Sequence, residues 1–218
     1  MKTLLKKEFT FSANILTYIF IAAALMTFIP GYPILCGPFF VCMGIFYTFQ
    51  SAREGNDILF SSLLPVKKGD VVRARYIFSV IIEAIAFAVI VAVTFIRMFL
   101  ISDAAPYVNN ALMNANLMSL GFALLIFAAF NMFFIGGFWK DAYKIGKPFL
   151  VSCIVTFLIL GVGETLHHLP GLMALNTPMG MLEIQLPILI ASVIIYIVTT
   201  IISCDMSVKS FERIDLTL

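Results

Sequence analysis

The sequence predicts an all-α integral membrane protein with six transmembrane helices. An N-terminal interfacial amphipathic helix precedes them, a cytoplasmic helix lies in the loop between helices 2 and 3, and short outer-leaflet helices lie between helices 5 and 6. Three observations predict this class. Of 218 residues, 61% are apolar and 12% are charged, against roughly 45–50% and about 25% in soluble domains. A soluble core of this size has no room for so much apolar surface, so lipid must solvate most of the chain. The apolar residues fall into six runs, and the basic residues gather in alternate gaps between them.

Residues 1–13 carry Lys2, Lys6 and Lys7 beside Leu4, Leu5 and Phe9, the two-faced pattern of a helix lying on a membrane surface. No AxA-type cleavage site follows, so the first apolar run is expected to stay as an anchor. A span takes about 20 apolar residues, with about 17–25 seen in practice. The first run extends from Asn14 to Ile29 and ends at the breaker-rich Pro30-Gly31-Tyr32-Pro33. The second covers Ile34 to Phe49 and the third Tyr76 to Ile101. A polar segment, Ser102 to Asn116, leads to the fourth, Leu117 to Phe138, which stops at Trp139, a residue type enriched at membrane interfaces. The fifth run, Phe149 to Val162, is short and opens into a Gly- and Pro-containing region without Lys or Arg. Residues 164–186 are therefore expected to form a re-entrant, outer-leaflet region. The sixth run is Pro187 to Ser203. The whole chain, 1–218, reads as one transmembrane domain.

Lys and Arg in short loops set orientation. With the N-terminus inside, segments 1–13, 50–75, 139–148 and 204–218 are cytoplasmic and hold thirteen of the fourteen basic residues. Both termini are thus expected in the cytoplasm of a multi-pass plasma-membrane protein. The exception, Arg97, lies near the outer end of helix 3, where it is expected to snorkel toward headgroups.

Catalytic and cofactor chemistry is missing from the pattern. There is no GxxxxGK[ST], HExxH or GxSxG motif. His167 and His168 are adjacent, so on a helix they point about 100° apart and make poor co-ligands. The four cysteines show no metal spacing and read as small apolar helix residues. No enzyme activity, metal or resident cofactor is expected, nor is nucleic acid a partner. Two intramembrane polar groups remain as candidates for a gate or substrate path. Glu83 lies seven residues into helix 3 and Asn131 eight residues before Trp139. At about 1.5 Å per residue the two share a depth of about 10 Å, so a hydrogen bond between them is geometrically open. Ionisable groups in spans are costly and often functional; a plain helix-packing bond is the competing reading.

Segment 50–75 organises the rest. It holds five of the fourteen basic residues, and within it Leu59, Phe60, Leu63 and Leu64 recur at helical spacing before Pro65 stops the helix. A short amphipathic helix on the cytoplasmic side serves either a soluble partner or the lipid surface, with Lys67 and Lys68 suited to anionic lipid. The combination ND-x-L-x-x-S-L-L-P-V-K-K-x-D-x-V-x-A-R-Y, Asn56 to Tyr76, resembles the loop after the second helix of small bacterial type-2 ABC-transporter permeases. Among these it is similar to the membrane subunits that export amphipathic peptides such as phenol-soluble modulins. The resemblance covers the layout of the whole chain and rests in sequence on this loop.

The resemblance implies a dimer of identical or different permease subunits over two cytoplasmic ATP-binding subunits, which carry the ATP and Mg. Asn56 to Leu64 is then the coupling helix. Leu59, Phe60 and Leu63, with Leu64 beside them, would fill a groove on the ATPase, and Asn56 and Asp57 would cap the helix start. The alternative is a non-transporting anchor, immunity or sensor subunit that docks a soluble protein through the same loop. An ion-coupled transporter fits less well, since only Glu83 is a clear intramembrane acid.

Overall fold

A computed structural model describes residues 1–57, 60–61, 65–108, 110–140 and 144–214. Helix α1 (Lys2–Lys7) continues through a π-helical turn, Glu8–Ser12. The chain then bends by 94° into α2 (Ile15–Ile19), which tightens into a 3₁₀ stretch, Phe20–Phe28. Asn14 caps α2, its side chain accepting from the Leu16 amide at 2.9 Å. The tightening has a geometric consequence: a 3₁₀ turn rises about 2.0 Å per residue against about 1.5 Å in an α-helix, so this short segment reaches further than its residue count suggests.

Helix α3 (Cys36–Glu54) packs back along α2. Contact is close because Gly44 faces Thr17 and Phe20; a Cβ there would lie 2.8 Å from that of Phe20. Thr17 Oγ1 uses the proximity to donate to the Gly44 carbonyl at 2.6 Å. Helix α4 (Lys68–Phe99) has 32 residues, about 48 Å at the α-helical rise. That exceeds the roughly 30 Å hydrocarbon layer, so its first turns project beyond the apolar part. Residues 68–75, read from sequence as loop, are those turns. After the short α5 (Ala105–Val108) comes α6 (Leu117–Phe138), interrupted by a π-helical stretch, Phe130–Ile135. Helix α7 (Gly146–Leu166) and α8 (Leu182–Glu212) complete the bundle, with a 3₁₀ turn, Met173–Asn176, between them. Pro187 lies in the second turn of α8, where it removes one amide from the helical ladder.

Among the described residues, four helices, α4, α6, α7 and α8, are long and apolar enough to cross a membrane; the bent pair Lys2–Ser12 and Ile15–Phe28 makes a fifth if taken as one span. Helix α3 is not among them, because its last turn carries Gln50, Arg53 and Glu54. The fifth apolar run is longer than its composition suggested: α7 has 21 residues. Helix α6 is the central post, with 83% of its apolar window buried, while α8 buries 11% and presents its isoleucines outward.

Aromatic rings join the helices at the end carrying the basic segments, here the basic end. Phe49 of α3 meets Phe134 and Phe138 of α6 edge-on at 5.2 and 4.8 Å, and Trp139 meets Phe211 of α8 at 4.9 Å. Trp139 is therefore a core residue, 1% exposed, and not the interfacial anchor its position suggested. The aromatic contacts favoured by ring quadrupoles outweigh a place in the headgroups.

Candidate functional site

Four charged side chains from three segments meet at the basic end. Arg75, on the second turn of α4, is buried, with its Nε paired to Glu8 Oε2 and its Nη2 bonded to Asp57 Oδ2 at 2.7 Å. Lys7 Nζ reaches Asp57 Oδ1 at 2.5 Å and Glu8 Oε1 at 3.5 Å. Two positive and two negative groups thus balance, which is what allows them to leave water together. Ser12 donates to Asp57 Oδ2 at 3.1 Å, and Lys7 donates to Ser61 Oγ at 2.7 Å. The Arg75 guanidinium also lies 5.4 Å from the centre of the Phe49 ring. Burial by itself pushes the Asp57 carboxyl up, but the Arg75 and Lys7 charges outweigh it and hold the carboxyl below the ordinary carboxylate range.

The local chain explains the convergence. The π turn at Glu8–Ser12 widens the end of the N-terminal helix, and the right-angled bend lays that helix across the start of α4. Asn56 adopts φ +50°, a left-handed conformation that Asn tolerates better than most residues. It turns the chain out of α3, and its carbonyl accepts from the Phe60 amide at 3.0 Å. Asp57 and Ser61, four apart, lie on one face and both engage Lys7; Phe60 points away and is 60% exposed. Phe60 and the 84% exposed Phe11 flank a cleft of about 210 Å³ that Asp57 helps to line. Leu59, Leu63 and Leu64 fall outside the described residues; the Asp57 carboxylate, expected to cap the helix start, is taken up by Lys7, Arg75 and Ser12, and the Phe60 amide bonds the Asn56 carbonyl instead.

A second polar cluster lies inside the bundle. Glu83 Oε2 accepts from Asn131 Nδ2 at 3.0 Å, so the two residues matched in depth by the sequence do meet. The same oxygen accepts from the Tyr196 hydroxyl at 2.7 Å, and Asn131 Nδ2 also donates to Thr200 at 3.1 Å. Asn131 stands in the π-helical stretch, whose irregular backbone leaves its carbonyl accepting from Ser203 Oγ at 2.8 Å. Ser203 approaches that closely because Gly136 faces it; a Cβ on Gly136 would lie 2.5 Å from the hydroxyl. Tyr76 continues the seam, its hydroxyl 2.8 Å from Ser203 and 2.9 Å from Ser207. The α8 members were missed from sequence, although Tyr196, Thr200, Ser203 and Ser207 recur at i, i+4, i+7 and i+11, one polar face on an apolar helix.

At the opposite end neutral amides do much of the joining, beside Arg97 and Glu164, whose Oε2 accepts from the Met113 amide at 2.8 Å. Asn116 caps α6 through a reciprocal pair with Ser119 and donates to the Leu175 carbonyl at 2.7 Å. Asn176 accepts from the Asn114 amide at 2.7 Å, and Gln185 Nε2 donates to the Gly180 carbonyl at 2.6 Å. Arg97 is buried here, 4% exposed, and does not snorkel. It donates to the Thr27 carbonyl at 2.7 Å and to Asn114 Oδ1 at 3.2 Å, and lies 4.1 Å from the Tyr107 ring centre. One backbone carbonyl, a side-chain amide oxygen and an aromatic face hold it inside the bundle. Among the described residues, no group of three His, Cys, Asp or Glu is arranged to hold a metal ion.

Residues 3–212 match the model of the family described as ABC-2 family transporter protein. Neither a curated protein nor a solved structure gives a match. The match spans nearly the entire chain, and the protein belongs to the ABC-2 transporter family: it is a membrane-embedded transporter subunit.

Proposed function

We propose that this ABC-2 chain is the six-span membrane subunit of an exporter driven by a separate cytoplasmic ATPase, with both of its termini in the cytoplasm. In this reading α2 with its 3₁₀ extension and α3 complete the six spans, residues 1–13 lie on the inner leaflet, 50–75 couple to the ATPase and 164–186 form the outer lid. Two permease subunits pair, and ATP and Mg reside on the partner. The cargo class is amphipathic peptides or similarly hydrophobic molecules, matched by the many Phe and Met side chains that can repack around varied apolar shapes.

The ionic node is the observation that carries this reading. It clamps the turn bearing exposed Phe60 to the first turns of α4 and to the N-terminal helix. Movement of a partner seated on Phe60, and on the Leu59, Leu63 and Leu64 that follow its helical spacing, then passes through Asp57 and Arg75 into the longest helix. Transport needs two permease states whose balance differential binding of nucleotide can reverse. Glu83 and Asn131 serve as the gate candidates, since they hold the contact between α4, α6 and α8 that such rocking must strain.

The test is co-purification of the tagged chain from its native membrane, followed by an ATPase assay. Wild type should bring down a stoichiometric ATPase with activity above background. Phe60→Asp should lose the partner while the chain still inserts and stays monodisperse. Recovery of the chain with a non-ATPase protein instead would make the loop a scaffold and end the exporter reading.

A further inference from the structure

We infer that the cleft beside Arg97, at the end opposite the ionic node, binds the singly charged acid head of an amphiphile, a carboxylate or a phosphodiester. The cleft holds about 450 Å³ between the end of α4, the short α5 and residues 176–180. That volume falls in the range of about 300–1,000 Å³ usual for small-molecule sites.

Unanswered charge is the first reason. Arg75 and Arg97 are both buried, but their surroundings differ. Arg75 pairs with Glu8 and Asp57, whereas Arg97 forms no ion pair among the described residues. Segments 98–116 and 165–182, from which the rest of the cleft is built, carry one acid between them, Asp103. Asp103 is an exposed part of the wall and accepts from Ser102 Oγ at 3.2 Å. Glu164 does not line the cleft and is engaged with the Met113 amide. A cation held out of water without a counter-charge is costly. An acid seated in the cleft relieves that cost.

Unused donors are the second reason. A guanidinium has five N–H groups and no acceptor. Arg97 gives one to the Thr27 carbonyl and one to Asn114 Oδ1, so three find no acceptor among the described residues. Because Arg97 can only donate, it is Oδ1 of Asn114 that faces it, and Asn114 Nδ2 remains as a further donor in the same wall. These groups are held in place beforehand. The Tyr107 ring lies 4.1 Å from the guanidinium while its hydroxyl donates to the Phe28 carbonyl, and the Asn114 backbone amide donates to Asn176. A fixed fork of N–H groups suits the paired oxygens of a carboxylate or a phosphodiester.

The remaining walls describe the rest of the ligand. Val108, Pro178 and Met179 line the cleft, and Val108 and Met179 are exposed. A small soluble anion leaves those surfaces unused, and Asp103 opposes a second negative charge. One charge on an apolar body satisfies both walls. The inference rests neither on export nor on an ATPase partner.

The test is calorimetric titration of the full chain in neutral amphipol with dodecanoate and with lysophosphatidylglycerol, native mass spectrometry giving the stoichiometry. At least one should bind once per chain and raise Tm. Tighter dodecanoate would make the ligand a carboxylate, and tighter lysophosphatidylglycerol a membrane phosphodiester. Arg97→Gln should weaken binding about tenfold or more, the weight of a hydrogen bond to a charged group. Asn114→Asp gives Arg97 an internal partner, so it should abolish binding and raise the Tm of the ligand-free chain. Asp103→Asn, a change at an exposed residue, should tighten binding about twofold. Binding of neither amphiphile would overturn the inference, as would equal binding of uncharged dodecanol or the full effect from acetate alone. So would an Asn114→Asp chain that folds and binds as wild type, which decides the matter even where Arg97→Gln fails to fold.

Discussion

At the basic end Lys7, Glu8, Asp57 and Arg75 join three segments through four formal charges, whereas at the far end Asn114, Asn116, Asn176 and Gln185 join loops and helices through neutral amides. The two solutions differ in what happens when one member is lost. An amide network loses one hydrogen bond at a time, each worth about 1 kcal/mol net. A buried set of charges is balanced only as a whole, so removing one member strands the others away from water. Under the proposed function, a lid that must hold its shape suits the first chemistry, and a joint that must pass force between a surface turn and a long helix suits the second.

The largest effect should come from Arg75→Met. It leaves Glu8 buried and Asp57 half-buried with Lys7 alone to answer them, and breaking the buried Arg75–Glu8 pair in this way costs about 3–5 kcal/mol, read as a fall in Tm or in the denaturant midpoint. Adding Glu8→Leu should recover part of that loss, because the orphaned carboxylate goes with it. Failure of the second change to recover any stability would mean that the charges are not coupled. The matching change at the far end is Asn116→Ala, which removes both the α6 cap and the link to Leu175. A cap and one buried hydrogen bond together predict a loss of about 2 kcal/mol, smaller than at Arg75 although two contacts disappear.

Acid should separate the ends next. The folded pKa of Asp57 lies below its unfolded value, so its contribution is fully present above the ordinary carboxylate range, near pH 4. It is lost as pH falls further, through the folded pKa. The amide contacts at the far end carry no such dependence. Asp57→Asn should therefore lower Tm at neutral pH and flatten the acid limb of the Tm profile below about pH 4, whereas Asn176→Ala should shift that profile downward without changing its shape. An unchanged acid limb in Asp57→Asn would remove Asp57 from the joint.

The contrast also explains which features sequence made legible. The bounds of α6 were readable because Asn116 is a capping residue and the apolar run between it and Trp139 is unbroken. The meeting of Glu83 with Asn131 was readable because depth along two spans counted from the same membrane face is arithmetic. By contrast, the start of α4 was hidden, since Arg73 and Arg75 look like loop residues until Arg75 has a buried partner. The ionic node was hidden for the same reason: Glu8, Asp57 and Arg75 lie far apart in the chain, and only the bend after Ser12 brings them together. The 3₁₀ stretch Phe20–Phe28 carries no compositional mark, because its Ala, Ile and Leu residues suit an α-helix equally well.

The smallest effect is the most discriminating. Arg73 stands two residues before Arg75 on the same helix, carries the same charge and faces Asp70 at 3.4 Å, but its side chain is 50% exposed. Water screens that pair, and exposed pairs of this spacing contribute about 0.5 kcal/mol or less. Arg73→Ala should thus leave Tm nearly unchanged and insensitive to added salt. If it cost as much as Arg75→Met, the basic end would be held by its overall charge, and burial would not be what distinguishes the joint from the lysines and arginines around it. A near-silent Arg73 beside a costly Arg75 would place the coupling in the buried contact with Glu8 and Asp57.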